Sequence, residues 1–270
     1  MKKPLKAIPL LAATVFLFGG MLACTKERSY IPAPSKAVDT VKPVTPPPVE
    51  EKPDIFQLRD SGITIVTMSQ PVGNMKQYLQ YIPAGYNEKK TYKWPIVFFL
   101  HGTGEIGNNA NILRNVGLPK VSAGKPFIII APQCNANWWN LDALQTFYLA
   151  MIKQYHIDNS RIYLTGLSMG GMQTWDWAIA QPKQFAAIVP ISANGDTTKV
   201  KVLKNLPVWV FHNADDPTVS VWGDRSMVSA LKSAGGNVKY TENPTGGHNA
   251  WDKAYAMPEL YTWLLAQKKP

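Results

Sequence analysis

The chain has 270 residues, 46% of them hydrophobic and 17% charged, which is enough apolar material for one full globular core. Its formal net charge is +10, but the Lys and Arg residues are dispersed rather than gathered into a basic helix or arm, which argues against a nucleic-acid role. Two cysteines exclude a disulfide-built scaffold, and no Cys/His or His/Glu spacing for zinc, no G-x-G-x-x-G and no Walker loop is present, so neither metal nor cofactor is expected.

In chain order, Met1-Lys2-Lys3-Pro4-Leu5-Lys6 is a positive leader start, and residues 7–22 are apolar but short for a membrane span. Met21-Leu22-Ala23-Cys24 resembles a lipobox, in which Cys24 is acylated and becomes the first mature residue; Met21 stands where Leu is usual. Residues 1–23 thus read as a lipoprotein signal peptide, with an ordinary secretory signal cut near Ala23 as the alternative. Removing its three lysines leaves a mature charge of about +7. Thr25 carries no inner-membrane retention mark, so the expected location is the bacterial cell envelope, anchored by lipid at the outer membrane. Residues 24–54 hold seven prolines and few apolar residues, which predicts an extended tether. Residues 55–270 form the remaining domain.

In that domain Ile63–Met68 and Gln77–Ile82 read as a strand pair. Ile96–Leu100 and Phe127–Ala131 are continuous apolar runs of the kind found in buried parallel strands. The first ends in His101-Gly102-Thr103-Gly104-Glu105, where glycine lets the backbone approach a reacting group closely; His101 reads as structural. Leu141–Tyr155 has helical periodicity. Arg161–Thr165 is a strand that runs into Gly166-Leu167-Ser168-Met169-Gly170-Gly171 and then a helical stretch from Met172 to Ala180. Strand, G-x-S-x-G, helix is the pattern of a nucleophile elbow, which presents Ser168 at a sharp, strained turn. Phe185–Ile191, Pro207–Phe211 and Val238–Glu242 complete the strands, and Val221–Ala234 and Lys253–Ala266 read as helices. The alternation predicts an α/β fold with a mostly parallel central sheet, helices on both faces and no large lid.

A serine hydroxyl needs a base, and the elbow requires an acid and then a histidine downstream. His248 lies in a glycine-rich loop before a helix, whereas His212 ends an apolar strand; His248 is the expected base. Asp215 and Asp216 both qualify as the acid, with Asp224 a weaker candidate in the following helix. One oxyanion donor should be the N–H of Met169, and the second the N–H of Thr103, with Gly104 as fallback. Cys134 reads as a packed thiol. Trp139 and Trp251 are the first choices among the nine tryptophans for lining the cleft.

His101-Gly102-Thr103-Gly104-Glu105, Ala131-Pro132-Gln133-Cys134 with Trp138-Trp139, the elbow, and Gly247-His248-Asn249-Ala250-Trp251-Asp252 occur in this order in one group of α/β-hydrolases. Over residues 60–268 the chain resembles serine esterases of the carboxylesterase or "predicted peptidase" group. These are similar to family 1 carbohydrate esterases (feruloyl and acetylxylan esterases) and to polyhydroxybutyrate depolymerases. The resemblance implies Asp216 as the acid, because the family acid directly precedes Pro217-Thr218-Val219. It also implies glycine where this chain has Asn213. The expected activity is that of a secreted serine esterase cleaving carboxylic esters through an acyl-enzyme. Its expected substrate is plant polysaccharide bearing feruloyl or acetyl groups, and a monomer is expected. A serine peptidase, a polyester depolymerase and a non-catalytic surface binding protein are the alternatives.

Overall fold

The computed structural model describes residues 56–269; the expected leader 1–23, Cys24 and the tether 24–54 lie outside them. Gly62–Val72 (β1) and Met75–Ile82 (β2) pair antiparallel around Gly73-Asn74, with Gly73 at φ +56°, a conformation glycine adopts without cost. Trp94–Leu100 (β3) follows, then Gly117–Lys120 (α1), Ile128–Cys134 (β4) and Leu141–Gln154 (α2). The chain continues through Ile157–Leu167 (β5), Met169–Ala180 (α3), Ala187–Ile191 (β6) and Val208–Asn213 (β7). It ends with Val221–Ser233 (α4), Val238–Asn243 (β8), Trp251–Ala256 (α5) and Pro258–Ala266 (α6).

The eight strands form one sheet in the order β1-β2-β4-β3-β5-β6-β7-β8. β2 meets β4 antiparallel, and every pairing from β4 through β3 to β8 is parallel. This is the mostly parallel α/β architecture expected. Side chains alternate across each strand, so Ile96, Phe98 and Leu100 of β3 face one core while Val97 and Phe99 face the other. Leu144, Phe147, Trp175, Trp177, Met227 and Leu231 bring α2, α3 and α4 onto the first face. Leu118, Tyr255, Leu260 and Leu264 bring α1, α5 and α6 onto the second. A central strand covered on both sides must be apolar throughout, which is why β3 lacks the alternation of β1. Among the described residues the strand connections are helices or turn-rich loops, with no separate lid.

Several boundaries differ from those expected. β5 begins four residues before Arg161, at Ile157, which pairs with Trp94; the register then shifts before Ile162, and the Asp158 carboxylate accepts the Ser160 N–H and the Arg161 Nε–H within that irregular stretch. The helix expected over Lys253–Ala266 is two helices. Proline disfavours the helical region for the residue before it, so Met257 is extended (ψ 116°) and Pro258 starts α6 in the first helical turn. The turns Thr103–Glu105 and Ala110–Asn115 and the helix α1 were not legible, being too short to show a period.

Candidate active site

Ser168 sits between β5 and α3 with φ 53° and ψ −121°, a backbone conformation costing roughly 1–3 kcal/mol for a residue with a side chain. The surroundings hold it there. Its N–H donates to the Ile191 carbonyl of β6 at 2.9 Å. The flanking glycines serve close approach rather than turning. A Cβ on Gly166 would lie 2.3 Å from the Gly170 carbonyl oxygen, and one on Gly170 would lie 2.1 Å from that of Leu100. Helix α3 can cross β3 and β5 this closely only with hydrogen at both positions.

His248 Nε2 lies 2.9 Å from Ser168 Oγ, and His248 Nδ1 lies 2.7 Å from Asp216 Oδ2. The structure therefore brings together Ser168, His248 and Asp216, which are far apart in sequence. Asp216 offers only acceptors when ionised, so the Nδ1 proton belongs to His248 and Nε2 is left to accept the seryl proton. Burial works against the Asp216 charge, but the His248 hydrogen bond and the N–H groups of Val219 and Thr218 outweigh it and hold its carboxyl below the usual range. Asp215 points elsewhere. Its carboxylate accepts the N–H groups of Gly246 (3.2 Å) and Gly247 (2.8 Å), shaping the loop that carries His248.

The loop after β3 packs directly on the elbow: a Cβ on Gly102 would lie 3.3 Å from Ser168 Cβ. His101 sets its orientation. The Cys134 N–H donates to His101 Nε2 at 3.0 Å, which leaves the proton on Nδ1 to be donated to the Gly102 carbonyl at 2.6 Å. Burial lowers the His101 pKa to about 4, consistent with this neutral tautomer. In a trans peptide the carbonyl and the next N–H point in opposite directions, so clamping Gly102 O turns the Thr103 N–H away from His101. The Glu105 carboxylate accepts the Gly102 N–H at 3.1 Å and closes the turn. Met169 is the first residue of α3, and a first-turn N–H has no partner within its helix.

The tryptophans separate. Trp251 is partly buried and stands edge-on to His248, with ring centres 5.2 Å apart. Trp139 is only 4% exposed; it packs on the His101 ring at 4.7 Å, and its Nε1–H donates to the His101 carbonyl. It therefore wedges the loop and offers no open face, a correction to its expected place in the cleft. A large aromatic beside a tight loop finds more contact inside than out. Cys134 is buried as expected.

Two supports escaped sequence reasoning. Ser192, at the end of β6 with φ 49°, donates its hydroxyl to the His248 carbonyl at 3.0 Å. Asn213, at the position where the resemblance implies glycine, donates its amide to Gly247 O at 2.9 Å and accepts from Asn243 at 2.9 Å. For Ser192 the only signal was a polar residue following an apolar strand, and for Asn213 it was the departure from the glycine that the resemblance implies.

Sheet order and elbow give this chain the α/β-hydrolase fold, and Ser168, His248 and Asp216 stand in the arrangement of a serine hydrolase triad. A phospholipase/carboxylesterase family model matches residues 139–264. A thermostable esterase of known structure is 32% identical, with a TM-score of 0.65 over 76% of this chain and 63% of its own. A probable feruloyl esterase C of Aspergillus niger is 24% identical over 67% of this chain and 70% of its length. The bifunctional acetylxylan esterase/xylanase of Neocallimastix patriciarum is 25% identical over 47% of this chain, which spans only 20% of that protein.

Proposed function

We propose that this chain is an exported carboxylic ester hydrolase that works through an acyl-enzyme on feruloyl or acetyl esters of plant polysaccharide. The observation that carries the chemistry is the pair of hydrogen bonds on His248, 2.9 Å to Ser168 Oγ and 2.7 Å to Asp216 Oδ2. Ser168 Oγ attacks the ester carbonyl while its proton passes to His248 Nε2. Asp216 holds the tautomer and stabilises the imidazolium that forms. The N–H groups of Met169 and Thr103 receive the oxyanion, at about 3–4 kcal/mol per donor. His248 then protonates the leaving alcohol as the tetrahedral intermediate collapses. Water, deprotonated by the same imidazole, cleaves the acyl-serine and returns the proton to Ser168. Trp251 beside His248 offers an aromatic wall to the acyl or sugar group.

The names of the relatives support the feruloyl or acetyl choice, and the leader with Cys24 supports export to the cell envelope on a lipid anchor. Purified Ser168→Ala should lose p-nitrophenyl acetate hydrolysis by at least about 10³-fold with an unchanged circular dichroism spectrum. Turnover retained in that variant would remove the nucleophile. Methyl ferulate, acetylated xylan, a short polyester and a peptide ester assayed together test the substrate class; preference for either of the last two replaces the polysaccharide reading. Radiolabelled palmitate should enter the wild-type chain but not Cys24→Ala in a bacterial host, and label in the variant rejects the anchor.

A further inference from the structure

Asp216 does not serve His248 alone. Its Oδ2 also lies 3.1 Å from Nε2 of His212, next to the last residue of β7. The same Nε2 lies 3.0 Å from the Val219 carbonyl oxygen. Both neighbours are acceptors, so this nitrogen carries a proton. On the other side of the ring, Nδ1 lies 2.8 Å from Asp224 Oδ2. Asp224, on α4, is fully buried and also receives the Ala193 N–H at 3.0 Å and the Trp175 indole N–H at 3.1 Å. Hydrogen bonds thus run without a gap from Ser168 through His248, Asp216, His212 and Asp224 to Trp175.

Burial works against a charged His212 ring, but Asp224, the Val219 carbonyl and Asp216 outweigh it and hold His212 above the usual histidine range. Burial pushes Asp224 up, opposed by its N–H donors. Wherever their shared proton rests, the pair has no net charge and turns one N–H toward Asp216. The other charge bearing on His212 is Glu242 of β8, itself bound by Arg225 of α4 at 2.6 Å and by Tyr240 at 2.6 Å.

We propose that His212, locked by Asp224, is a positioning residue for the triad acid: it donates Nε2–H to the carboxylate oxygen that receives Nδ1–H of His248. This rests on the functional reading above. A carboxylate oxygen shared by two N–H groups is held in one orientation and is a weaker base toward either of them. Without His212 the carboxylate gains freedom to rotate, and its full charge falls on the protonated form of the triad.

His212→Asn keeps an amide near the Nδ1 position and loses the donor to Asp216; His212→Gln can place an amide nitrogen near Nε2. We expect kcat of the asparagine variant to fall about 30- to 100-fold with KM little changed, and the acid limb of kcat/KM to move up by about one pH unit. The glutamine variant should recover kcat to within about fivefold and bring the limb back by about half. A purely structural His212 would lower Tm in both variants and leave the limb in place, and that result overturns the proposal. So does a glutamine variant no better than asparagine. Should the asparagine variant fail to fold, proton NMR decides. The His212 Nε2–H should give a slowly exchanging downfield resonance that is absent in His212→Gln and shifts in Asp216→Asn; a resonance indifferent to Asp216→Asn refutes the contact. This readout needs no turnover. If the wild-type chain neither hydrolyses esters nor reacts with a fluorophosphonate, the functional reading fails while the resonance still tests the positioning.

Discussion

Asp215 and Asp216 are chemically identical neighbours that turn geometry assigns to different tasks. The Asp215 carboxylate caps two backbone N–H groups of the histidine loop, and the Asp216 carboxylate reaches the imidazole itself. An amide in place of Asp216 can donate to Nδ1 and so favours the wrong tautomer, which leaves Nε2 protonated and unable to act as base. Asp216→Asn should therefore lower kcat on the order of 10³–10⁴-fold. Asp215→Asn keeps an acceptor oxygen for the glycine N–H groups and should cost less than about tenfold, mostly in stability. Steady-state kinetics on the two purified variants checks this, and the reverse order would move the acid by one position. Residue physics alone left these two open; only the resemblance through Pro217-Thr218-Val219 separated them, because the way a turn faces depends on partners far away in sequence. Ser168 and His248 were legible for the opposite reason. The elbow and the glycine loop each carry their backbone requirement within a few residues.

At the scale of elements, two contacts decide how the site is held. The first is the crossing of α3 over β3 and β5. Gly170 meets the Leu100 and His101 carbonyls, rigid backbone that cannot move aside as a side chain could. Gly170→Ala should therefore destabilise by about 3 kcal/mol, at the upper end of overpacking costs, and displace Ser168. A urea melt measures the first effect and the rate of fluorophosphonate labelling the second. The second contact ties α4 to β8 through Arg225 and Glu242. The Arg225 and Tyr240 hydrogen bonds lower the Glu242 pKa from the ordinary 4.5 to about 2. A depressed folded-state pKa contributes stability that is complete above about pH 4.5 and is lost as the pH falls toward 2. Replacing Glu242 by Gln should flatten the stability profile in that window and lower the pH 7 value slightly, since the pair is partly exposed. Thermal melts between pH 2 and 7 read this directly; parallel profiles for the two proteins would assign the acid sensitivity elsewhere. Strands and the longer helices were legible because apolar periodicity needs no tertiary context. The break at Met257-Pro258 was also in the sequence, and the proline signal outweighs the continuous apolar pattern across it.

The whole molecule gathers Ser168, Asp216, His248 and the Gly102 loop at one edge of a sheet whose two cores are built from different helices. Strand order is what makes this possible: β3 lies between β4 and β5, so the loop after β3 sits beside the elbow after β5. That adjacency could not be read from the chain, since parallel strands pair across crossovers and only the fold class implied it. Phe56 stacks on Tyr86 with ring centres 5.2 Å apart and meets His156 edge-on at 5.7 Å. The preceding segment holds prolines at 32, 34, 43, 46, 47, 48 and 53 and few apolar residues, and we propose that it serves as a tether only. A chain starting at Phe56 should then keep kcat/KM within about twofold and Tm within about 2 °C of a chain starting at Cys24, while a chain starting at Gly62 loses the Phe56 contact and should melt several degrees lower. Side-by-side calorimetry and ester kinetics on the three proteins test this. A large loss of kcat on removing residues 24–55 would mean that this segment takes part in the site, and the tether reading would fall with it.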